Sequence, residues 1–533
     1  MSQAPGHAAP WWQGGVVYQI YPRSWADANG DGIGDVQGIV NHLDYLEWLG
    51  VDVIWINPIT ASPNRDWGYD VTDYCSVHPD FGSLDDVDDL IRECHARDIK
   101  VLLDLVPNHT SDQHPWFRES RSDRAARRRD WYLWADPKTD GAPPNNWLAE
   151  PGGPSWTFDA ASEQYYLHSF LGEQPDLNWR NREVRDAFED ILRFWFDRGV
   201  DGFRVDVAYK LIKDRQLRDN PSATSSDHPL VQAFGQVPHY NGDQPEVHDI
   251  FKEWRTLADG YEFGRVFIGE TFFPDPSRIA AYYGAGDELH LAFNNIFAVA
   301  PFMVSALARI VAASEQALMP LGWPAWAISN HDFGRYPTRW CDGEGDAVRC
   351  AAMLLLTLRG TPILYYGDEL GASDVPVPPS CRRDPFGQED SLNPSGRDGA
   401  RTPMPWANRP GGGFTTAEVE PWLPLGDLSR CNVADQQADP NSMLHLCRDL
   451  IRLRREFTDL ALGEYQEISC ADPVWRFKRG DTLMVVLNLS DRPAQVNDLD
   501  GTILVGTDRG REGAKISGNM QLSPWEGLLV KIR

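Results

Sequence analysis

Short apolar runs alternate with amphipathic segments along most of this 533-residue chain. The intervening segments carry apolar side chains at helical spacing, as in residues 36–50. Eight buried-type strands that alternate with helices predict a parallel sheet, and eight is the number that closes into a (β/α)8 TIM barrel. The runs are residues 16–22, 51–58, 100–106, 202–206, 265–271, 289–294, 326–332 and 361–369.

Two long polar stretches interrupt this rhythm, and the end of the chain has a different period. Residues 107–177 are rich in Pro, Trp, Asn and charge and are too long for a plain connection, which predicts an inserted subdomain after the third strand. Residues 374–425 form a second long excursion, after the eighth run. Apolar and polar residues alternate in residues 463–533, which predicts a C-terminal antiparallel β-sandwich domain and leaves the barrel to residues 1–106 and 178–462.

The composition excludes several classes of partner and site. A formal net charge of −28 argues against binding to nucleic acid or to an anionic membrane surface. The most apolar long stretch, residues 296–313, contains Pro301 and Arg309, which suits a barrel element better than a membrane span. The N-terminus has neither the basic nor the apolar region of an export signal, and the eight cysteines form no CxxC pair. We therefore expect a cytoplasmic protein with free thiols.

Polar side chains follow several of the predicted strands. The active site of a barrel of this type lies at the carboxyl ends of its strands. A single Asp after a strand is usually a helix cap or a turn residue, but carboxylates from four strands predict one shared pocket. These polar residues are Asp104, Asn108 and His109 at the third run, Arg204 and Asp206 at the fourth, Glu270 at the fifth, and His331 and Asp332 at the seventh.

Carboxylates that face one cavity suit glycoside chemistry, which uses one ionised nucleophile and one protonated acid. Arg204 lies two residues before Asp206 and on the same face of the strand, where its guanidinium would keep Asp206 ionised as the nucleophile. The apolar residues before Glu270 would raise its pKa, as a general acid and base requires. Asp332 and His331 would then hold the hydroxyls of a distorted sugar ring.

The stretch DANGDGIGD, residues 27–35, places oxygen-bearing side chains at alternate positions. Its start matches an EF-hand loop, but the twelfth position is Gly38 instead of Glu. A solvated turn would also use Asp, Asn and Gly. The number of potential oxygen ligands favours a site for a hard cation.

The motifs GFRVD, FIGET and SNHD, with DLVPNH before them, resemble the four signature regions of the α-amylase superfamily, glycoside hydrolase family 13. GVVYQIYPRSW, GYDVTDY, QPDLNW and ARTPMPW are similar to motifs of its α-glucosidase and oligo-1,6-glucosidase branch. The resemblance extends from about residue 12 to the C-terminus. It implies a retaining, exo-acting α-glucosidase with Asp206 as nucleophile, Glu270 as acid and base, and Asp332 as transition-state stabiliser.

The same resemblance implies which residues bind the substrate. Asp70 and Arg401 would grip the 4-hydroxyl of the terminal glucose and close the far end of the pocket, so that the enzyme acts on chain ends. Tyr69 would stack on that glucose, with Tyr74 as the second candidate. The remaining residues expected to bind the glucosyl ring or line its pocket are His109, Phe170, Gln174, Arg204 and His331.

The resemblance also gives the stretch 27–35 a role, because it matches the calcium loop of this branch. A structural Ca²⁺, or Mg²⁺ in its place, would lie away from the bond that is cut. The implied ligands are the side chains of Asp27, Asn29, Asp31 and Asp35 and the carbonyl oxygen of Ile33.

The sequence does not decide which glucosidic linkage the enzyme cleaves or which acceptor it uses. Val207, after the nucleophile, is typical of α-1,6 enzymes of the family, whereas Ala208 departs from the oligo-1,6-glucosidase pattern, and Pro151 replaces an aromatic residue on the acceptor side. Maltose-type, isomaltose-type and sucrose-type donors are all compatible, and acceptors would be water or other small hydroxyl compounds. The alternatives are an intramolecular glucosyl transferase of the trehalose synthase kind, a sucrose hydrolase, or a catalytically silent scaffold.

Overall fold

The computed structural model describes residues 9–150, 152–386 and 396–532. Its strands are β1 (Val17–Ile20), β2 (Val53–Ile56), β3 (Thr60–Ala61), β4 (Asp73–Val77), β5 (Lys100–Leu105), β6 (Trp134–Ala135), β7 (Trp156–Asp159), β8 (Gln164–Leu167), β9 (Gly202–Val205), β10 (Val266–Gly269), β11 (Leu291–Ala292), β12 (Ala325–Ala327), β13 (Thr361–Tyr365), β14 (Tyr465–Ala471), β15 (Val474–Arg479), β16 (Leu483–Asn488), β17 (Ala494–Val496), β18 (Gly501–Gly506), β19 (Lys515–Ile516), β20 (Met520–Leu522) and β21 (Gly527–Lys531).

Eight of these strands form a closed parallel barrel. Their spatial order is β11, β10, β9, β5, β2, β1, β13, β12, and all paired neighbours are parallel. A parallel bridge between Phe293 and Ala325 joins the two ends of this order. The eight predicted runs therefore give the predicted barrel, which is confirmed.

Side chains alternate between the inside and the outside of the barrel. Phe203 and Val205 of β9 face outward and join the core between strands and helices. The inward side chains at the lower end form a separate apolar cluster, so the barrel is filled there and has a closed floor. This cluster comprises Val17, Val53, Trp55, Leu102, Val266, Ile268, Leu291, Phe293, Trp323, Ala325, Ala327 and Ile363.

Helices surround the barrel and begin at polar caps. Ser83 and Asp86 form a capping box at the start of α3, and the Asn181 side chain caps α5. The helices are α1 (Val36–Val40), α2 (Leu43–Leu49), α3 (Leu84–His95), α4 (Pro115–Ser122), α5 (Arg182–Asp197), α6 (Pro229–Phe234), α7 (Val247–Asp259), α8 (Pro276–Ala281), α9 (Asn295–Val299), α10 (Val304–Leu318), α11 (Tyr336–Arg339), α12 (Gly345–Thr357), α13 (Val433–Ala438), α14 (Met443–Glu456) and α15 (Thr458–Ala461).

The helical stretch 36–50 is divided into α1 and α2. His42 has φ −117° and ψ 14° and interrupts the helical backbone, while its Nδ1 lies 2.9 Å from the carbonyl oxygen of Gly38. The apolar stretch 296–313 is likewise divided, into α9 and α10 on either side of Pro301. Among the described residues, no helix combines the length and the apolar character that a membrane span requires.

Two insertions rise above the carboxyl ends of the barrel strands. Residues 107–177 contain α4 and a three-stranded antiparallel sheet in the order β6, β8, β7. The connection between β2 and α3 contains the hairpin β3–β4, which the sequence pattern did not predict. Both insertions contribute side chains to the site described below.

The C-terminal part is an antiparallel β-domain, as predicted. One sheet has the order β14, β15, β16, β21, β18, β19, and a second pairs β17 with β20. Met484, Val486, Leu522 and Val530 pack between them. Alternate residues of the large sheet, such as Trp475, belong to the main core instead, so this domain packs firmly on the barrel.

Candidate active site

Inward side chains become polar at the upper end of the barrel. Gln19, Asn57 and Asp104 each follow an apolar floor residue by two positions, so they point to the same side of their strands. Together with Arg204 of β9 they are buried. Because buried polar groups need hydrogen-bond partners, these side chains pair with one another and with the residues above them.

The guanidinium of Arg204 binds three carboxylates. Its Nη1 donates to Asp104 Oδ1 at 2.9 Å and to Asp206 Oδ1 at 2.7 Å, and its Nη2 lies 2.8 Å from Glu270 Oε2. The backbone N–H of Val207 donates to the same Glu270 oxygen at 2.9 Å. Asp206 and Glu270, from the neighbouring strands β9 and β10, are therefore held together by the two ends of one guanidinium.

This cluster retains a proton more readily than an isolated carboxylate. Burial raises the pKa of Asp104 to about 6. Burial also raises the pKa of Asp206 and of Glu270, and Arg204 opposes the shift in both. The predicted contact between Arg204 and Asp206 is present, but burial works against ionisation. Because three carboxylates share one guanidinium, the group holds a proton at higher pH than separate carboxylates would, as a general acid requires.

Asp332 has the opposite environment. Its Oδ1 lies 3.2 Å from Arg397 Nη1 and 3.2 Å from Arg401 Nη2, and its Oδ2 lies 3.1 Å from His331 Nε2. Burial by itself would raise the pKa of Asp332, but His331 and the two arginines lower it below its ordinary value. Asp332 is therefore an ionised carboxylate in a cavity where positive charge can develop.

These groups line a cavity of about 140 Å³. Arg204 lies beneath it and is 1% exposed. The predicted site residues on the cavity wall are Tyr69, His109, Phe170, Gln174, Asp206, Glu270, His331 and Asp332. The other lining residues are Asp66, Glu150, Val207, Tyr209, Phe234, Phe272, Asn295, Phe333, Phe386 and Arg397.

Tyr69 is the tyrosine that faces the cavity. Its ring is parallel to the His331 imidazole, with an interplanar angle of 3° and a centroid distance of 5.2 Å. The hydroxyl of Tyr74 donates to the backbone carbonyls of Val106 and His109, at 2.9 and 2.8 Å, and Tyr74 is not part of the cavity wall. The structure thus favours Tyr69 over Tyr74 as the stacking residue.

The inserted subdomain and the third strand form one side of the cavity. His109 Nε2 lies 2.8 Å from the backbone carbonyl oxygen of Tyr69, and its ring contacts Phe170 at 5.2 Å. Gln174 Nε2 donates to Asp66 Oδ2 at 3.2 Å. Side chains from separate parts of the sequence are thereby fixed in one wall.

Asp70 and Arg401 do not form the predicted pair. The Asp70 carboxylate accepts hydrogen bonds from the Ser62 hydroxyl and from the backbone N–H groups of Arg65 and Asp66, at 2.7, 2.9 and 3.0 Å. It stabilises its own loop and is absent from the cavity wall. Arg401 donates through Nε to the carbonyl oxygen of His331 at 2.8 Å and supports Asp332 from behind.

An acidic residue and an arginine do close the cavity, but they are Asp66 and Arg397. Arg397 Nη2 lies 2.7 Å from Asp66 Oδ1 and 2.7 Å from Asp384 Oδ1. Each residue of this pair precedes the predicted one by four positions and lies just before the motif that contained the predicted residue. The motifs signalled the pair, but the bend of the loop decides which Asp and which Arg reach the cavity.

Two further lining residues, Glu150 and Val207, were not predicted as site residues. Glu150, from the insertion, forms an ion pair with the buried Lys210, next to Pro151, which lies outside the described residues. Val207 has φ 33° and ψ 49°, a left-handed conformation that is unusual for a β-branched residue. This strained backbone is the one whose N–H binds Glu270, a placement typical of functional sites.

The acidic loop 27–35 is tightly hydrogen-bonded to itself. Asp27 accepts N–H groups of Gly30 and Gly32, Asn29 accepts that of Asp31, and Asp31 accepts that of Ile33. Asp35 accepts from Gly38 and caps α1. Across the described residues, no three His, Cys, Asp or Glu side chains converge as a metal site would require. The cation therefore stays a prediction.

Comparisons with known proteins agree with the geometry. The sequence profile of the alpha-amylase catalytic domain matches residues 19–463. The chain is 42% identical over 503 residues to a probable alpha-glucosidase of Rhizobium meliloti (91% of this chain, 90% of that protein). It is 35% identical to an oligo-1,6-glucosidase of Parageobacillus thermoglucosidasius (98% and 99%). The crystal structure of an alpha-glucosyl transfer enzyme, XgtA, superposes with a TM-score of 0.90 at 41% identity (98% and 100%).

Proposed function

Because the chain belongs to the α-amylase family of glycoside hydrolases, we propose that it is a retaining, exo-acting α-glucosidase that hydrolyses or transfers the terminal glucosyl unit of small α-glucosides. One observation carries this proposal. Asp206 and Glu270 share the two ends of the Arg204 guanidinium at a cavity that Asp66 and Arg397 close. The proximity of the two carboxyl groups suits the double displacement of retaining enzymes.

The reaction would proceed in two displacements. The carboxylate of Asp206 attacks C1 of the glucosyl unit, the bond from C1 to the leaving oxygen breaks, and Glu270 gives its proton to that oxygen. Glu270 then removes a proton from water or from another hydroxyl, whose oxygen attacks C1 and frees Asp206. Two inversions at C1 return the α configuration.

The other residues of the site would stabilise the charge of the transition states and orient the glucosyl ring and the catalytic carboxyl groups. Asp332, ionised beside its arginines, would stabilise positive charge at C1 in both transition states. Tyr69 would stack on the glucosyl ring, while His109 and His331 would bind its hydroxyls. Arg204 would keep the catalytic carboxylates at their separation without contacting the substrate, because it lies below the cavity.

Action at chain ends would follow from the ion pair of Asp66 and Arg397. The pair spans one end of the cavity and leaves charged oxygens and nitrogens for the 4-hydroxyl of a terminal glucose. A further sugar beyond that hydroxyl would have to displace a buried ion pair. Short oligosaccharides and disaccharides are therefore the expected donors, and internal bonds of long chains are not.

Transfer to other hydroxyl compounds is supported by the acceptor side of the cavity. Tyr209, Phe234, Phe272 and Phe333 line the cavity and offer apolar faces to a second sugar or an alcohol. The similar structure described above is named as a glucosyl transfer enzyme. Val207 after the nucleophile supports α-1,6 donors, on the family pattern.

The test is a donor panel of maltose, isomaltose, sucrose, trehalose and an aryl α-glucoside, with products separated and anomers followed by NMR. We expect free glucose that appears first as the α anomer, with transfer products at high donor concentration. Isomerised disaccharide as the main product would instead identify an intramolecular transferase. Absence of turnover on every donor, or glucose released first as the β anomer, would overturn the proposal.

We also propose that the loop 27–35 binds a structural Ca²⁺. Four oxygen-bearing side chains and a backbone carbonyl at alternate positions, close to the surface, support this proposal. The ion would stabilise the turn before α1. It would not act on the substrate, which would be bound by the groups of the cavity alone.

A further inference from the structure

The hydrogen bonds around the Tyr69 hydroxyl indicate which ring nitrogen of His331 carries the proton. Asp104 Oδ2 accepts from the Tyr69 hydroxyl at 2.9 Å, and that hydroxyl accepts from Asn57 Nδ2 at 2.7 Å. His331 Nε2 lies 2.6 Å from the same hydroxyl oxygen. While Asp104 is ionised, it takes the single proton of Tyr69, and the hydrogen between Tyr69 and His331 then belongs to His331 Nε2.

The other nitrogen of the imidazole leads to the same assignment. Gln19 Nε2 lies 2.8 Å from His331 Nδ1 and 2.8 Å from Asn57 Oδ1. Asn57 turns its NH₂ group toward Tyr69 and Asp104, so it presents its oxygen to Gln19. Gln19 must therefore present its NH₂ group, which can only donate, and His331 Nδ1 can only accept.

We propose that Gln19 is a positioning residue that fixes His331 as the neutral imidazole with its proton on Nε2. Gln19 itself is fully buried in β1 and does not touch the cavity. Its effect is to keep the only N–H of the His331 ring on Nε2, the nitrogen that faces Tyr69 and Asp332 on the cavity side. The tautomer stands on the hydrogen bonds alone, whereas its effect on glucoside binding rests on the proposed function.

The surroundings of His331 act in the same direction as the hydrogen bond from Gln19. Burial lowers the pKa of His331 well below its ordinary value, and Asp332 opposes that shift. The charged and titratable groups that face the ring are Asp332, Asp104, Tyr69, Tyr21, Arg204, Arg397 and Arg401. Carboxylates on the cavity side favour the charged imidazolium form of His331. The amide N–H of Gln19 opposes that form, because a second proton on Nδ1 would face a donor and have no acceptor.

Two substitutions separate the roles of shape and polarity. Gln19→Glu keeps the shape but places an acceptor at Nδ1, so we expect His331 to gain a second proton and to titrate near neutral pH. Gln19→Met keeps the volume and removes the donor, so the tautomer should no longer be fixed. Gln436→Glu is the matched control, because its amide bonds the backbone of Leu370 and Leu444 far from the cavity.

The primary measurement is imidazole ¹⁵N NMR of His-labelled protein, with His331→Asn to assign the signal. The wild-type protein should show a proton on Nε2 and none on Nδ1 from pH 7 to pH 9, where Asp104 is ionised, and this result does not depend on the turnover of any glucoside. A proton on Nδ1 in the wild-type protein would overturn the inference, even if Gln19→Glu failed to fold.

Kinetics supply the second measurement. In Gln19→Glu we expect kcat/KM for an aryl α-glucoside to fall roughly tenfold or more and to gain an ionisation near neutral pH. Gln19→Met should lose activity without that ionisation, and Gln436→Glu should match the wild-type protein. A wild-type NMR signal and pH profile in Gln19→Glu would refute the role of Gln19.

Discussion

Single carboxylates in this cavity differ in protonation because their neighbours differ. Asp332 is surrounded by cations and has a lowered pKa, whereas burial raises the pKa of Glu270, with Asp332 and Glu150 adding to the effect. The different neighbours thus separate the pKa of the proposed acid, Glu270, from that of the proposed stabiliser, Asp332. This difference can be tested at a residue that touches neither reacting atom.

Glu150→Gln should move the alkaline limb of the pH profile of kcat/KM to lower pH. The substitution removes a negative charge that raises the pKa of Glu270, so the proposed general acid loses its proton at lower pH. Glu163→Gln, on the exposed surface of the same insertion, is the control and should leave the limb in place. A limb that stays or moves upward in Glu150→Gln would contradict this electrostatic account.

Asp66→Asn tests the corrected pair. The loss of one charged partner of Arg397 should reduce kcat/KM for maltose or isomaltose by roughly 100-fold, because the buried guanidinium is left with one negative charge fewer beside it. Asp186→Asn breaks an exposed pair with Arg182 on α5 and should change kcat/KM little. Equal effects of the two substitutions would show that Asp66 does not bind substrate.

At the scale of elements, strands could be predicted better than loops. The eight apolar runs correspond to the eight barrel strands. Asp104, Asp206 and Glu270 could also be predicted, because each lies two residues after an inward strand position and the alternation of side chains along a strand is a local property. Asp66 could not be distinguished from Asp70 by alternation. The loop between β2 and α3 bends through the hairpin β3–β4, and only that bend turns one Asp into the cavity and the other into the loop.

Asp368, three residues after the end of β13, makes stability depend on pH. Burial raises its pKa to about 7, above its unfolded value of about 3.9, so the folded form binds a proton more tightly than the unfolded form. Stability should therefore fall as pH rises from about 4 to about 7. Asp368→Asn removes this dependence. Calorimetry should therefore show that the Tm of the variant minus the Tm of the wild-type protein is larger at pH 8 than at pH 5.

The control for this experiment is Asp186→Asn, whose carboxylate is exposed and whose Tm difference should not change with pH. A Tm difference for Asp368→Asn that is the same at pH 5 and pH 8, or larger at pH 5, would mean that Asp368 is ionised at low cost in the folded protein.

The loop 27–35 predicts a response to Ca²⁺. If the loop binds the ion, a free concentration about 100-fold above Kd stabilises the protein by about 2.7 kcal/mol, and Tm should rise relative to protein in chelator. Asp31→Ala should abolish the rise, because Asp31 is an exposed residue of the predicted ligand set and its side chain accepts, within the loop, from the N–H of Ile33. A Tm that is equal in Ca²⁺, Mg²⁺ and chelator would show that the loop binds neither ion.

At the scale of the whole molecule, the cavity exists only because distant parts of the chain meet. The barrel supplies Asp206 and Glu270, the insertion supplies Phe170, and the excursion after β13 supplies Arg397. The sequence could predict each part from its own pattern. The way in which the parts close one end of the cavity depends on tertiary contacts, such as that between Asp66 and Arg397, which join residues 331 positions apart.

The central claim is that Asp206 forms a covalent bond to glucose while Glu270 serves as acid and base. Glu270→Gln should still react with α-glucosyl fluoride, which needs no acid, but should lack the base for the second step. Mass spectrometry of the digested variant should then find one glucosyl group on the peptide that contains Asp206. The same label on another carboxylate, or release of β-glucose with no labelled peptide, would contradict the mechanism.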